Sequence, residues 1–219
     1  MSYALALVDF DGTLADSMPY WLSLPVNTLR EFGIPQPEGF TDFIRSIPMH
    51  EIAEKLSERY PELEAEKPLR ERWQAQMAEY YAHDIPLKSD ALKLLDTLRA
   101  HGLKVFILSA TYHELLDPAI RRLDVLSHAD GVYSEQECGS KRTAEPYEFF
   151  RDTFGVPFEK MLLAEDAPRN LAAAEALGIA GVGVYDESMK EYNAEIRAGA
   201  AVYLEDFTDL SALEKLLEE

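Results

Sequence analysis

The sequence predicts an α/β fold: a mostly parallel sheet flanked by helices, with a separate helical domain inserted into it. Three observations carry this. From Ser89 onward, short apolar runs alternate with helical periodicity, the rhythm of a parallel sheet with helices on both faces. Between residues 17 and 85 that rhythm stops and only helical patterns remain. Finally, three apolar runs end abruptly in acidic or hydroxyl residues, as in YALALVDFDG, FILSAT and MLLAED.

The elements follow in order. YALALVDF reads as the first strand. YWLSLPVNTLREFG, FTDFIRSIPMHEIAEKLSERY and PLRERWQAQMAEYYAH read as helices of the insert, with Trp21, Trp73, Tyr80 and Tyr81 as its core. SDALKLLDTLRAHG reads as a helix capped by Ser89 and stopped at Gly102. LKVFILS is a strand, HELLDPAIRRL a helix disturbed at Pro118, and GVYS a short strand. EPYEFFRDTFG is a helix, KMLLA a strand, RNLAAAEALG a helix and AGVGVY a strand. SMKEYNAEIRAG, AAVYL and LSALEKLLEE then give helix, strand and terminal helix. The predicted domains are residues 1–16 with 86–219 as the core, and 17–85 as the helical insert.

Composition narrows the function classes. The 219 residues are 47% apolar, which suits a globular protein with one domain plus an insert. No apolar run is long enough to span a bilayer, and the first eight residues lack the basic and apolar regions of a secretory signal. The single cysteine, Cys138, leaves no internal disulfide and no cysteine-based metal site. A cytoplasmic setting without a membrane partner is the expectation. The net charge of −19 argues against a nucleic-acid partner. It also requires any anion site to carry local positive charge from a metal, a lysine or helix amides.

Ligands of open parallel sheets sit beyond the carboxyl ends of the strands. Asp9 and Asp11 lie at one such end, Ser109 and Thr111 at a second, Glu165 and Asp166 at a third. Clustered carboxylates repel one another unless a cation neutralises them. Hard oxygen donors with room for a phosphate suit Mg²⁺. Lys141 and Arg142 in the GSKR loop offer positive charge nearby. Taken alone, Asp-Gly is an ordinary turn pair, Ser109 an ordinary strand-end serine, and Asp166 a helix cap. Asp16 suits the cap of the first inserted helix or a brace for the loop before it.

The string DFDGTLADS resembles the first motif of the haloacid dehalogenase-like hydrolases, which read D-x-D-G-T-L-x-D-S. Ser109 is similar to their second motif, Lys141 to the third, and Glu165-Asp166 to the fourth, in the same order along essentially the whole chain. The insert resembles the helical cap of the phosphoglycolate phosphatase and β-phosphoglucomutase branch. Three positions depart from the pattern: Ala110 where relatives often carry Asn, KRTAEP where they often read K-P-x-P, and Asn170 where many carry Asp or Gly. Arg142 is therefore a rival to Lys141.

The resemblance implies a Rossmann-like catalytic core and a Mg²⁺-dependent phosphatase of small phosphorylated metabolites. Asp9 is then the nucleophile and Asp11 the general acid and base. Asp9, the Asp11 backbone carbonyl, Asp166 and Glu165 hold the metal. Ser109, the Ala110 amide and Lys141 hold phosphate, and Arg45 and His50 on the insert contact substrate. A mutase that returns the phosphoryl group to a sugar shares these motifs. A dehalogenase needs no second aspartate, and Asp11 is present. A phosphoacceptor signalling module is shorter and orders its acidic residues differently. A non-catalytic binding protein would not need every catalytic position filled.

Overall fold

The computed structural model describes residues 2–47, 51–64 and 67–218. The chain divides into two compact units, Met1–Asp16 with Ile85–Glu219, and Ser17–Asp84.

Among its described residues, the regular elements of the Ser17–Asp84 unit are all helices. Its helices are α1 (Met18–Glu31), α2 (Phe40–Ser46), α3 (Ile52–Arg59) and α4 (Leu69–His83). A 3₁₀ turn, Pro61–Glu64, joins the last two. Leu24, Leu29, Leu56, Leu63, Trp73, Met77 and Tyr81 are buried and supply the core of this unit. Its aromatic polar ends are satisfied. The Trp73 indole N–H donates to Thr28 Oγ1 at 2.8 Å, and the Trp21 N–H donates to the Tyr81 hydroxyl at 3.0 Å. Tyr20 and Tyr80 stack with ring centroids 3.9 Å apart. Asp16 does not cap α1. The N-cap residue is Ser17, which makes no side-chain cap bond because its backbone is already helical. Arg45 lies within α2, and His50 lies outside the described residues.

Among its described residues, the other unit holds six strands: β1 (Leu5–Val8), β2 (Lys104–Ser109), β3 (Gly131–Ser134), β4 (Met161–Glu165), β5 (Ala180–Val184) and β6 (Val202–Leu204). Every pairing is parallel, in the order β3-β2-β1-β4-β5-β6. The central strands are buried on both faces, so they read as continuous apolar runs. Leu5 and Leu7 of β1, Phe106 and Leu108 of β2, and Met161 and Leu163 of β4 share one face. They pack there with Tyr147, Phe150, Leu171 and Ile196.

The helices of this unit are α5 (Ala91–Ala100), α6 (His113–Arg122), α7 (Glu135–Cys138), α8 (Glu145–Phe154), α9 (Pro168–Glu175), α10 (Asn193–Gly199) and α11 (Ser211–Glu218). Two local expectations need correction. Ser89 is not the cap of α5. That place falls to Asp90, whose φ of 59° puts it in the left-handed region, a conformation Asp tolerates better than most residues. Pro118 does not interrupt α6, which runs on to Arg122. The proline removes one donor, and the turns on either side hold the helix together.

With β2 and β4 flanking β1, the chain reverses its direction of travel across the sheet between β1 and β4. This is the switch point at which open α/β sheets leave a crevice. Val8 pairs with Ile107 and with Ala164. The residues just beyond these three are therefore carried to one place.

Candidate active site

Each tip exposes its chemistry for a local reason. The Asp9 amide still donates to the Ala164 carbonyl at 3.0 Å, so β4 holds its backbone while the side chain leaves the strand. The chain then turns through Gly12, whose φ is +84°. A Cβ on Gly12 would lie 2.6 Å from Asp166 Oδ2. Glycine is needed there both for the backbone conformation and for the close approach of the carboxylate. Thr13, fully buried, donates from Oγ1 to Asp166 Oδ1 at 3.1 Å.

The centre of the site is an ionic cluster out of contact with solvent. Asp9, Lys141, Glu165 and Asp166 are 4%, 2%, 1% and 3% exposed. Lys141 Nζ donates to Asp9 Oδ1 and, at 2.7 Å, to Glu165 Oε2. The loop that carries Lys141 lacks the prolines usual at that place, and hydrogen bonds fix it instead. Glu135 Oε1 accepts from the Lys141 amide at 2.8 Å, and the Tyr147 hydroxyl donates to the Lys141 carbonyl at 2.8 Å. Arg142 is exposed, so the basic position of the cluster is filled by Lys141.

Glu165 accepts four hydrogen bonds. The amides of Asp166 and Ala167 reach Oε1, each at 3.1 Å, and Asn170 joins Lys141 on Oε2 at 2.9 Å. Its lone pairs are thus committed, and it braces the mouth of α9. That capping duty falls to Glu165; Asp166 makes no cap bond and keeps its carboxylate for Thr13 and the crevice. Asn170, at a departure from the usual pattern, serves as a donor to Glu165.

The charges do not balance, and the ionisation behaviour follows. Burial, and then the Glu165 charge, push Asp9 up to about 8 even against the pull of Lys141. Burial, Glu165 and Asp9 push Asp166 well above the usual carboxylate range. Burial works the same way on Glu165, but Lys141, Asn170 and the Ala167 amide outweigh it and hold Glu165 low. Burial would also lower Lys141, yet the Asp9 and Glu165 charges hold it above the ordinary lysine range. With one cation among three carboxylates, full ionisation would leave negative charge uncompensated.

That imbalance tests the fit of a metal. One oxygen from each of Asp9, Glu165 and Asp166 lies within 4.8 Å of the others. All three carboxylates are placed to share an ion, Glu165 being the one whose oxygens also accept four hydrogen bonds. A hard, oxygen-only donor set of this kind suits a small divalent cation such as Mg²⁺.

A second group lies on the β2 side. Asp11 Oδ2 accepts from Thr111 Oγ1 at 2.8 Å, and Ser109 Oγ stands 3.5 Å away. Ser109 is fully buried, and its oxygen accepts from the Thr111 amide at 3.0 Å. Ala110 is exposed between them. The structure therefore brings Asp9, Lys141, Glu165 and Asp166 into one cluster and Asp11 with Ser109 into its neighbour. Of the insert residues it gives only the backbone of Arg45. Thr13, not singled out from the sequence, completes the contacts together with Thr111, read there only as a strand-tip hydroxyl, and Asn170, read only as a departure from the pattern. The signal for Thr111 was its place two residues past Ser109; Thr13 belongs to the first motif itself.

Comparison with known proteins agrees with this geometry. A family model described as haloacid dehalogenase-like hydrolase matches residues 6–184. The chain is 21% identical over 212 residues to the "Phosphorylated carbohydrates phosphatase" of Thermotoga maritima, covering 96% of this chain and 98% of that protein. Among solved structures, a hydrolase from Pseudomonas syringae is 25% identical with a TM-score of 0.70, covering 99% of this chain and 98% of that one. A hydrolase of the same family from Deinococcus radiodurans R1, with bound phosphate and sodium, is 21% identical with a TM-score of 0.75, covering 99% and 96%. The parallel sheet, the strand-tip acids and the family match over most of the chain agree, and the chain belongs to the haloacid dehalogenase-like hydrolases.

Proposed function

We propose that this enzyme is a Mg²⁺-dependent phosphatase of small phosphorylated carbohydrates, working through an aspartyl phosphate on Asp9. The observation that carries the reading is the buried Asp9–Lys141 pair facing Asp166, with Asp11 held apart on Thr111. The carbohydrate class rests on the likeness to the Thermotoga phosphatase.

Asp9 and Asp166, with the Asp11 backbone carbonyl implied by the family pattern, would hold the ion. When bound, Mg²⁺ offsets the repulsion between an anionic nucleophile and an anionic phosphate. Lys141 aims Asp9 and favours its ionised form, working against the burial that raises it. An Asp9 oxygen attacks phosphorus and the bond to the ester oxygen breaks, giving an acyl phosphate. Asp11 gives its proton to the departing alkoxide. It then takes a proton from water, whose oxygen attacks the acyl phosphate and frees Asp9 and inorganic phosphate. Ser109 and the amides that follow it bind the phosphoryl oxygens as charge grows. Arg45 and His50 are assigned to substrate choice.

The test is a panel of sugar phosphates assayed with Mg²⁺ and with a chelator, products resolved by chromatography. Release of inorganic phosphate that stops with chelator and returns with Mg²⁺ supports the reading. Undiminished hydrolysis in metal-free buffer refutes it. An isomeric sugar phosphate as the main product points instead to a mutase.

A further inference from the structure

One half-buried cation takes no part in the reaction just described. Lys88 follows the segment that leads back into the sheet unit, and its ammonium group ends among oxygens. It donates to the Gly12 carbonyl, to the Tyr185 carbonyl at 2.6 Å, and pairs with Asp186 Oδ2 at 3.0 Å. Its own amide donates to the Leu14 carbonyl at 2.8 Å. Asp186 is 4% exposed, and its other oxygen accepts from the Ser188 amide at 2.9 Å and from the Ser188 hydroxyl. The lysine therefore joins the turn after β1 to the end of β5, two strands that do not pair with each other.

What the joint holds is the wall beside Asp166. Gly12 presents its bare Cα to the Asp166 carboxylate, and the next residue, Thr13, donates to it. The Gly12 amide is tied to Ala15 at 3.0 Å. The carbonyl of the same residue is tied by Lys88. With both polar groups of Gly12 fixed, the peptide cannot rotate, and Thr13 stays aimed at Asp166.

Resting on the proposed metal-dependent reading, we infer that Lys88 is a positioning residue for the metal site, holding the Gly12–Thr13 turn so that Asp166 is preset as a ligand. Outer partners of metal ligands commonly change affinity by about 10–100-fold when removed, and a loss in that range is expected here.

The experiment is calorimetric titration of the full chain with Mg²⁺, alongside thermal melts, for the wild type, Lys88→Met, Asp186→Asn and the Lys88→Met/Asp186→Asn double variant. Lys88→Met alone leaves the Asp186 charge buried without its partner and can fail to fold; the double variant removes both charges. The expected result is a folded double variant that binds Mg²⁺ about 10–100-fold more weakly, with Asp186→Asn within about threefold of the wild type. Wild-type affinity in the folded double variant overturns the inference. So does an equal loss in Asp186→Asn, which would assign the effect to Asp186. A double variant that does not fold overturns it as well, since Lys88 would then serve folding and not the site. Failure of the wild type itself to bind Mg²⁺ is a different result and removes the metal-dependent reading.

Discussion

Thr111 Oγ1 donates to Asp11 Oδ2 at 2.8 Å across 100 residues of chain. The contact fixes the rotamer of the residue assigned to proton transfer. Geometry of this kind decides whether a general acid reaches its leaving group. Replacing Thr111 by Val keeps the shape and deletes the hydroxyl. We expect kcat on a sugar phosphate to fall by about 10-fold, less than the roughly 10²–10⁴-fold that loss of the general acid itself costs. KM should change little, and Thr111→Ser should restore most of the rate. Steady-state kinetics on the three proteins is the measurement. An unchanged kcat in Thr111→Val would show that Asp11 needs no such partner.

Glu165 and Asp166 are neighbours with different employment, and substitution should separate them. Asp166→Asn removes a carboxylate that has one hydroxyl partner and faces the crevice, so Mg²⁺ binding should be lost with little effect on folding. Glu165→Gln puts an NH₂ group among four donors and removes a charge that Lys141 needs. Breaking a buried ion pair on one side costs about 3–5 kcal/mol, so this variant should melt at a lower temperature. Thermal melts with and without Mg²⁺ read both effects. A stable Glu165→Gln that no longer binds the ion would make Glu165 a direct ligand after all.

His113 gives a prediction about pH. Its Nδ1 faces Asp117 Oδ1 at 2.8 Å and its Nε2 faces Glu137 Oε2 at 2.6 Å, joining α6 to α7. Hydrogen bonds to Asp117 and then Glu137 raise the imidazole above its ordinary 6.5. A base whose folded value is raised stabilises the fold fully below the unfolded value and stops doing so as pH rises through the folded one. Burial works against ionisation of Glu137, yet His113 and the Ser134 amide hold it below its ordinary 4.5. Its contribution is therefore present above that value and is lost as pH falls through the lowered folded one. The tie should be strongest between about pH 4.5 and 6.5. The melting-temperature difference between wild type and His113→Gln should be largest near pH 5.5 and shrink toward pH 8.5. A difference independent of pH would mean that the imidazole acts by packing alone.

The sheet was legible because buried parallel strands must be apolar on both faces, and each such run ended in a residue that has no reason to be buried. The same contrast marked Asp9, Asp11, Ser109, Glu165 and Asp166. Lys88 and Asp186 carried no such contrast. A lysine near a helix start and an aspartate after a strand are common on surfaces, and only the fold brings them together across 98 positions. Ser89 misled for a related reason: a serine before an apolar period is a good cap, but the left-handed turn at Asp90 shifts the start of α5. The four donors to Glu165 could be seen only once Lys141, Asn170 and the α9 amides were placed.

The two aspartates of the opening motif should fail in different ways. Asp9 is buried against Lys141, while Asp11 stands on Thr111. If Asp9 attacks phosphorus, Asp9→Asn removes the nucleophile and no phosphoenzyme forms, even from an aryl phosphate with an easy leaving group. If Asp11 moves protons, Asp11→Asn spares both the nucleophile and the backbone carbonyl beside it. A sugar alkoxide needs its proton, so hydrolysis of a sugar phosphate should slow by about 10²–10⁴-fold. A phenolate needs less help in leaving, but the water that follows still needs a base. The Asp11→Asn protein should therefore release a burst of phenol and accumulate one phosphoryl group, visible by intact mass as an adduct that Asp9→Asn cannot carry. Phosphoenzyme in Asp9→Asn would refute the nucleophile. Equal loss on aryl and sugar phosphates in Asp11→Asn, without a burst, would mean that Asp11 serves the site through local charge and geometry, and that the proton comes from elsewhere.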